Sequence, residues 1–177
     1  MEMVDILTVT GKKTGQIKSR AKAHKNGLWH RTVHVWLQNS SGNLLLQKRS
    51  HTKETHPGLW DISAAGHVAV GDNSDNAALR EVKEELGIVL NNNELRCIGT
   101  VLQSYIKSDN SLIDNEITDI YLCKRPVTTE EICIDPVEID EVAWFDINIL
   151  KNKLVTEKDL FVPHNEEYEM LFTELSV

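Results

Sequence analysis

The sequence lacks a long uninterrupted apolar run, a surplus of basic residues, an even set of cysteines and any internal repeat. Each absence removes a class of explanation. Asp5, Lys12, Lys13, Lys18 and Arg20 interrupt the first twenty residues, so neither a secretory signal nor a transmembrane anchor is expected there. A net charge of −8 opposes binding along a nucleic-acid duplex, whose phosphates favour a basic face. Cys97, Cys123 and Cys133 are odd in number and lack metal-type spacing, which predicts thiols of a cytoplasmic protein. With no repeat or low-complexity tract, 177 residues suit a single domain with a substantial core, in which residues 1–27 form an N-terminal extension. Oligomeric state is not readable at this level, and a homodimer stays open.

What is present concentrates between Gly66 and Ile88, which reads GHVAVGDNSDNAALREVKEELGI. Glu81, Glu84 and Glu85 fall within an arc of roughly 100° on a helix of 3.6 residues per turn. Ala78, Leu79, Val82 and Leu86 occupy the neighbouring arc as a core-facing stripe. Like charges three and four residues apart cost about 0.2–0.5 kcal/mol per pair. The helix dipole adds about 0.3–1 kcal/mol for each anion near the C-terminus. Arg80 and Lys83 relieve part of this, and a divalent cation would relieve the rest, because hard oxygen ligands suit Mg²⁺ and Mn²⁺. A solvated acidic face is the bland alternative.

The surrounding residues favour the cation. The stretch resembles the Nudix box: a glycine, five residues, an acid, seven residues, then Arg-Glu-apolar-x-Glu-Glu-x-Gly-apolar. Gly66, Arg80, Glu81, Val82, Glu84, Glu85, Gly87 and Ile88 fall in register. The first acid is Asp72 where that family usually has Glu, which weakens its expected partnership with the box arginine.

Patterning predicts the remaining elements. Val4 to Val9 and Gln16 to Ala21 flank a glycine-bounded turn, as a hairpin would. Arg31 to Gln38 alternates apolar and polar, Asn39 to Asn43 turns, and Leu44 to Lys48 returns. Pro57-Gly58 precedes a short strand, Leu59 to Ile62. Asp72, Asn73 or Ser74 suits the N-cap of the box helix and Gly87 its stop. Leu95 to Ile106, Ile117 to Lys124 and Val142 to Phe145 read as strands, and Ile147 to Lys151 and Asn165 to Leu175 as helices. This order suggests an α/β fold, and the resemblance implies a Nudix-type α/β/α sandwich with a mixed sheet.

A second resemblance spans roughly residues 20–145. His30 to Leu37, Leu44 to Arg49, Pro57 to Trp60 and Gly66-His67 look like type I isopentenyl diphosphate isomerase, a Nudix relative. It implies metal ligands at His24, His30, His67, Asp114 and Glu116, and diphosphate-binding cations at Arg49 and Lys53. The His24–His30 spacing is one residue shorter than that family's, and Asp114 replaces its Glu. Asp114 and Glu116 sit two apart at the start of a predicted strand, so they share a face. His34, His51, His56 and His164 read as surface or hydrogen-bonded core residues. Trp60 reads as core.

The isomerase needs a proton donor and acceptor on opposite faces of an alkene. Its cysteine just before the box glycine is Ala65 here, and its box is degenerate where this one is intact. Both departures predict hydrolysis of a diphosphate linkage in a small molecule such as a nucleoside diphosphate derivative. Mg²⁺ or Mn²⁺ would neutralise phosphoryl oxygens and activate water. Glu81, Glu84, Glu85 and the Gly66 carbonyl are the expected box ligands, with Glu81, Glu84, Arg80 and Glu116 the expected catalytic set. An isomerase is the alternative, and a non-catalytic diphosphate-sensing module a further one. Ala65 opposes the former, and the intact Arg80, Glu81, Glu84 and Glu85 oppose the latter.

Overall fold

The strand at Arg31 to Gln38 sets the layout. In the computed structural model, which describes residues 2–109 and 111–175, it is β3, His30–Gln38. The expected inward set, Val33, Val35 and Leu37, is fully buried. Thr32, His34 and Trp36 on the opposite face are buried too, because that face is also covered. Ahead of β3 come the hairpin strands β1, Met3–Leu7, and β2, Lys13–Ser19, and a helix α1, Arg20–Lys25. After it come β4 Leu44–Arg49, β5 Trp60–Asp61, β6 Ala64–His67, the box helix α2 Ser74–Leu86, β7 Arg96–Ile106 and β8 Ile113–Lys124. β9 Ile139–Phe145, α3 Ile147–Thr156 and α4 Asn165–Leu175 complete the order.

The sheet is mixed, in the order β5-β4-β3-β8-β7, with β6 added to β3 and β9 to β4. β3 and β8 run parallel, and the other pairs are antiparallel. β3 and β4 touch only at Gln38 and Leu44, next to their turn, and then diverge. β6 enters the gap, pairing Thr32 with His67 and His34 with Ala65. That split opens the cavity described below. Val33, Val35, Ala77, Ala78 and Val82 form the core under α2. Trp36, Ile120, Leu150 and Leu171 form the core under α3 and α4.

The end of the hairpin and the run before the box helix depart from the sequence reading, and β8 begins four residues earlier than expected, at Ile113. The second hairpin strand stops at Ser19, whose side chain caps α1 by accepting from the Lys22 N–H at 3.4 Å. The run Ala64 to His67 is a strand, although Ala-Ala-Gly has little intrinsic strand preference. Its ladder to β3 is what holds it extended. The hairpin packs through Val4 and Ile6 against Ala23, and Val4 bridges to Ala69 in the box loop. Among the described residues no helix is long and apolar enough to cross a membrane.

Candidate active site

The box helix begins and ends as its residues dictate. Asn73 is the N-cap, its side chain accepting from Asn76 N–H at 2.8 Å, and Gly87 closes the helix in the left-handed conformation at φ 71°. A Cβ on Gly66 would run into the Glu81 carboxylate, so this glycine lets the carboxylate lie against the backbone. Glu81 and Glu85 are buried, and Glu84 is exposed. Arg80 donates to Glu81 at 2.6 Å, to Glu84 at 3.3 Å and to the His67 carbonyl at 2.8 Å. Asp72 takes no part in this. It accepts instead from Asn73 N–H and the Asn76 side chain.

Glu85 spans the split in the sheet. One oxygen accepts from Gln47 of β4 at 3.1 Å and from Ala65 N–H of β6 at 3.2 Å. The common point expected for Glu81, Glu84 and Glu85 is therefore not assembled among the described residues. Arg80 holds Glu81 and Glu84, while the sheet holds Glu85. Burial, against the pull of Arg80, pushes Glu81 up to about 7. Burial and the charge of Glu81 push Glu85 up to about 8.

In a second group the three histidines and Glu116 converge, with Asp114 alongside. The parallel register sets His30 beside Glu116, the β6 ladder sets His67 beside Thr32, and α1 delivers His24. His24 Nε2 lies 3.3 Å from both His30 Nε2 and His67 Nε2. Glu116 Oε1 lies 3.5 Å from His67 Nε2 and 3.7 Å from His30 Nε2. Asp114 Oδ1 is 3.3 Å from His24 Nε2. One ligand atom each from His24, His30, His67 and Glu116 falls within a common 4.8 Å.

The electrostatics show what this group lacks. Burial, then His30 and Arg20, push His24 down to about 4. Burial also drives His30 down and His67 far down. Burial and Asp114 push Glu116 up to about 8. Asp114 Oδ1 is buried without a hydrogen-bond partner. His30 Nδ1 lies 2.9 Å from the Leu28 carbonyl, which places its proton there and leaves the Nε2 lone pair facing inward. Converging lone pairs 3.3 Å apart match donors sharing one ion at ligand distances of about 2.0–2.2 Å. These residues fit a divalent cation.

Both groups open on one cavity of about 850 Å³. Arg49 and Lys53 line it, each already paired. Arg49 donates to Asp61 at 3.0 Å and to Thr55, and Lys53 pairs with Glu138. The sequence reading missed Arg20, which lines the cavity and, among the described residues, has a side-chain ion-pair partner only in Glu2 at 3.5 Å. It also gave His34 and His164 no site role. They are hydrogen-bonded and buried or half-buried, as that reading allowed, but they line the cavity as well. His34 Nδ1 lies 2.7 Å from Glu167, and His164 Nε2 lies 2.9 Å from Asp61. The available signal was the two-residue spacing of His30, Thr32 and His34 on one strand face.

Comparison with known proteins identifies the family. The pattern described as "NUDIX domain" matches residues 28–164. Nudix hydrolase 3 of Arabidopsis thaliana is 39% identical over 97% of the chain, which spans only 23% of that protein's length. An Escherichia coli isopentenyl-diphosphate Delta-isomerase is 27% identical over 82% of this chain and 78% of its own. The crystal structure of DR0079 from Deinococcus radiodurans superposes with a TM-score of 0.67 at 24% identity, covering 88% of this chain and 90% of that one, which shows the shared fold. With the domain pattern matched over most of its length and the box residues in register, the chain belongs to the Nudix hydrolase family.

Proposed function

We propose that the protein hydrolyses a diphosphate linkage in a small molecule, using divalent cations at two adjoining positions. The observation that carries this reading is an intact set of box carboxylates bordering the same cavity as Ala65. A methyl group neither gives nor takes a proton, so this position cannot supply the thiol chemistry of the isomerase relatives. Glu81, Glu84 and Glu85 are oxygen donors that suit Mg²⁺ or Mn²⁺. The histidine group, with its imidazoles, suits Mn²⁺ or Zn²⁺ better than Mg²⁺. A bound cation supplies charge neutralisation at phosphorus and a nucleophilic water near neutral pH.

The chain's own residues do the rest. Arg20, Arg49 and Lys53 set positive charge on the cavity wall to receive the phosphoryl oxygens. Arg80 ties the box helix to β6 through the His67 carbonyl and holds Glu81 and Glu84 until they are needed as ligands. Glu116 reaches the cavity from β8 as a carboxylate that can hold a cation or take a proton. The three free thiols fit a cytoplasmic setting.

A panel of diphosphate compounds with Mg²⁺ or Mn²⁺, read as phosphate or nucleotide release, tests the assignment. Release from a member of the panel is expected. Interconversion of isopentenyl and dimethylallyl diphosphates by the unmodified protein would overturn it. Ala65→Cys is expected to show weak isomerisation at most.

A further inference from the structure

Beyond the two cation positions, the cavity carries a histidine with one edge tied down and the other free. His34 is 6% exposed and follows His30 and Thr32 on the same face of β3. Its Nδ1 is 2.7 Å from Glu167 Oε2. Glu167, 1% exposed, also accepts from Trp36 Nε1 at 2.7 Å and Gln103 Nε2 at 3.4 Å. Across the ring, Nε2 has no hydrogen-bond partner among the described residues, and the side chain borders the cavity. His34 stands directly opposite Ala65 on β6. Residues so paired point to one face with Cβ atoms roughly 4.5–5.5 Å apart. The Ala65 N–H in turn holds Glu85. The ring therefore sits one strand from a box carboxylate.

We propose that His34 is a catalytic residue of the diphosphate hydrolysis, donating its Nε2 proton to the oxygen that leaves phosphorus, with Glu167 positioning the ring. The proposal rests on the hydrolytic reading above. As the bond from the water oxygen to phosphorus forms, the bond from phosphorus to the bridging oxygen breaks. Its electron pair goes to that oxygen, which takes the Nε2 proton. The water's proton goes to a cavity carboxylate, and the imidazole regains one from solvent.

The surroundings favour the charged form of the ring. Burial lowers its proton affinity, but Glu167 from α4 and Asp61 from β5 outweigh burial and the opposing Arg49 of β4, so the net shift is upward. Across the ladders, Ala65 of β6 and Ile120 of β8 bring no charge, and Gln103 of β7 is neutral. His164 is committed differently, with Nε2 on Asp61 and Nδ1 3.9 Å from Glu167. His34, His164 and Glu167 do lie within 4.8 Å of one another. Three N–H groups already converge on the Glu167 carboxylate, so protons fill the space a cation would need.

The test uses the full chain with Mn²⁺, ADP-ribose as substrate, and the analogue of ADP-ribose whose bridging oxygen is sulfur, which leaves without a proton. His34→Gln should lose on the order of 100-fold in kcat on the oxygen-bridged compound and less than about fivefold on the sulfur-bridged one. The fall of kcat at high pH should disappear in His34→Gln and move to lower pH in Glu167→Gln. Equal losses on the two substrates, or an unmoved alkaline limb, would overturn the proposal. If neither compound is turned over, the hydrolytic reading is at fault for this substrate, and a binding readout decides. Inorganic pyrophosphate added to ¹⁵N-histidine-labelled protein should shift the His34 Nε2 resonance. A stationary resonance removes His34 from the site.

Discussion

Two groups of histidines and carboxylates border the same cavity, are buried to a similar degree, and have opposite electrostatics. In the first, His24, His30 and His67 are pushed down while Asp114 and Glu116 are pushed up. In the second, His34 is raised while Asp61 and Glu167 are lowered. Burial opposes charge in both. The difference lies in what faces what. His34 meets Glu167 at 2.7 Å, so pairing outweighs its desolvation, and His164 meets Asp61 at 2.9 Å. In the first group imidazole faces imidazole at 3.3 Å, the carboxylates stand 3.3–3.7 Å off, and one oxygen is orphaned. Residue types alone do not make a cation site. A buried set that cannot satisfy itself offers its donors to a cation.

That contrast breaks most sharply on truncation. Glu167→Ala leaves His34 and Trp36 without their acceptor, and losing one partner of a buried pair costs about 3–5 kcal/mol. In a chain of this size it should lower Tm by on the order of 6–20 °C. Glu116→Ala, measured without added metal, should lower Tm far less, because its carboxylate is not serving a satisfied pair. Equal losses would erase the distinction between the groups.

Next in size is the box. Glu85→Gln should keep the fold, since an amide oxygen can still accept from Ala65 N–H, yet lower turnover on the order of 100-fold. Turnover assays with circular dichroism check both halves, and unchanged turnover would remove Glu85 from the ligand set.

Protons and cations compete for the same atoms, and this fixes the sign of a third prediction. Glu116 and Glu85 are raised from 4.5 to about 8, so their contribution to stability is present below 4.5 and lost as pH rises through 8. His24 is lowered from 6.5 to about 4, so its contribution is present above 6.5 and lost as pH falls through 4. Mn²⁺ should therefore stabilise the protein more at pH 8 than at pH 5. At a hundredfold excess over Kd the gain is about 2.7 kcal/mol, on the order of 5–10 °C in Tm. The second group needs no cation. Its His34 contribution is lost as pH rises through a value above 6.5, and its Glu167 contribution as pH falls through one below 4.5. The difference in Tm between wild type and Glu167→Gln should accordingly be largest between those limits, with or without Mn²⁺.

The smallest effect concerns the orphaned oxygen. Asp114→Asn, able to donate as well as accept, should raise the Tm of the metal-free protein by the equivalent of about 1 kcal/mol. The same change should weaken Mn²⁺ binding, as calorimetric titration would show. A metal-free protein made less stable by it would mean Asp114 is satisfied after all.

Local rules account for what could be read in advance. The box helix, its Asn73 cap and its Gly87 stop follow from side chains within a turn of one another. The turn at Asn39 to Asn43 and the alternation of β3 follow likewise. His30, His67, Asp114 and Glu116 were named through the isomerase likeness, and His24 with them despite its shortened spacing. Their meeting was not deducible from spacing alone, because it depends on a parallel register and an inserted strand.

The sequence by itself therefore determined the box helix, the strand alternation and the family, since each is written in residues close along the chain. Tertiary structure decided the rest. It made Ala64 to His67 a strand by laddering it to β3, and turned Arg80 onto Glu81 and Glu84 rather than Asp72. It also brought Glu167 to His34 across 133 residues. Whether a buried histidine becomes a ligand or a proton carrier depends on the group it meets. That meeting is set by packing between elements far apart in the chain.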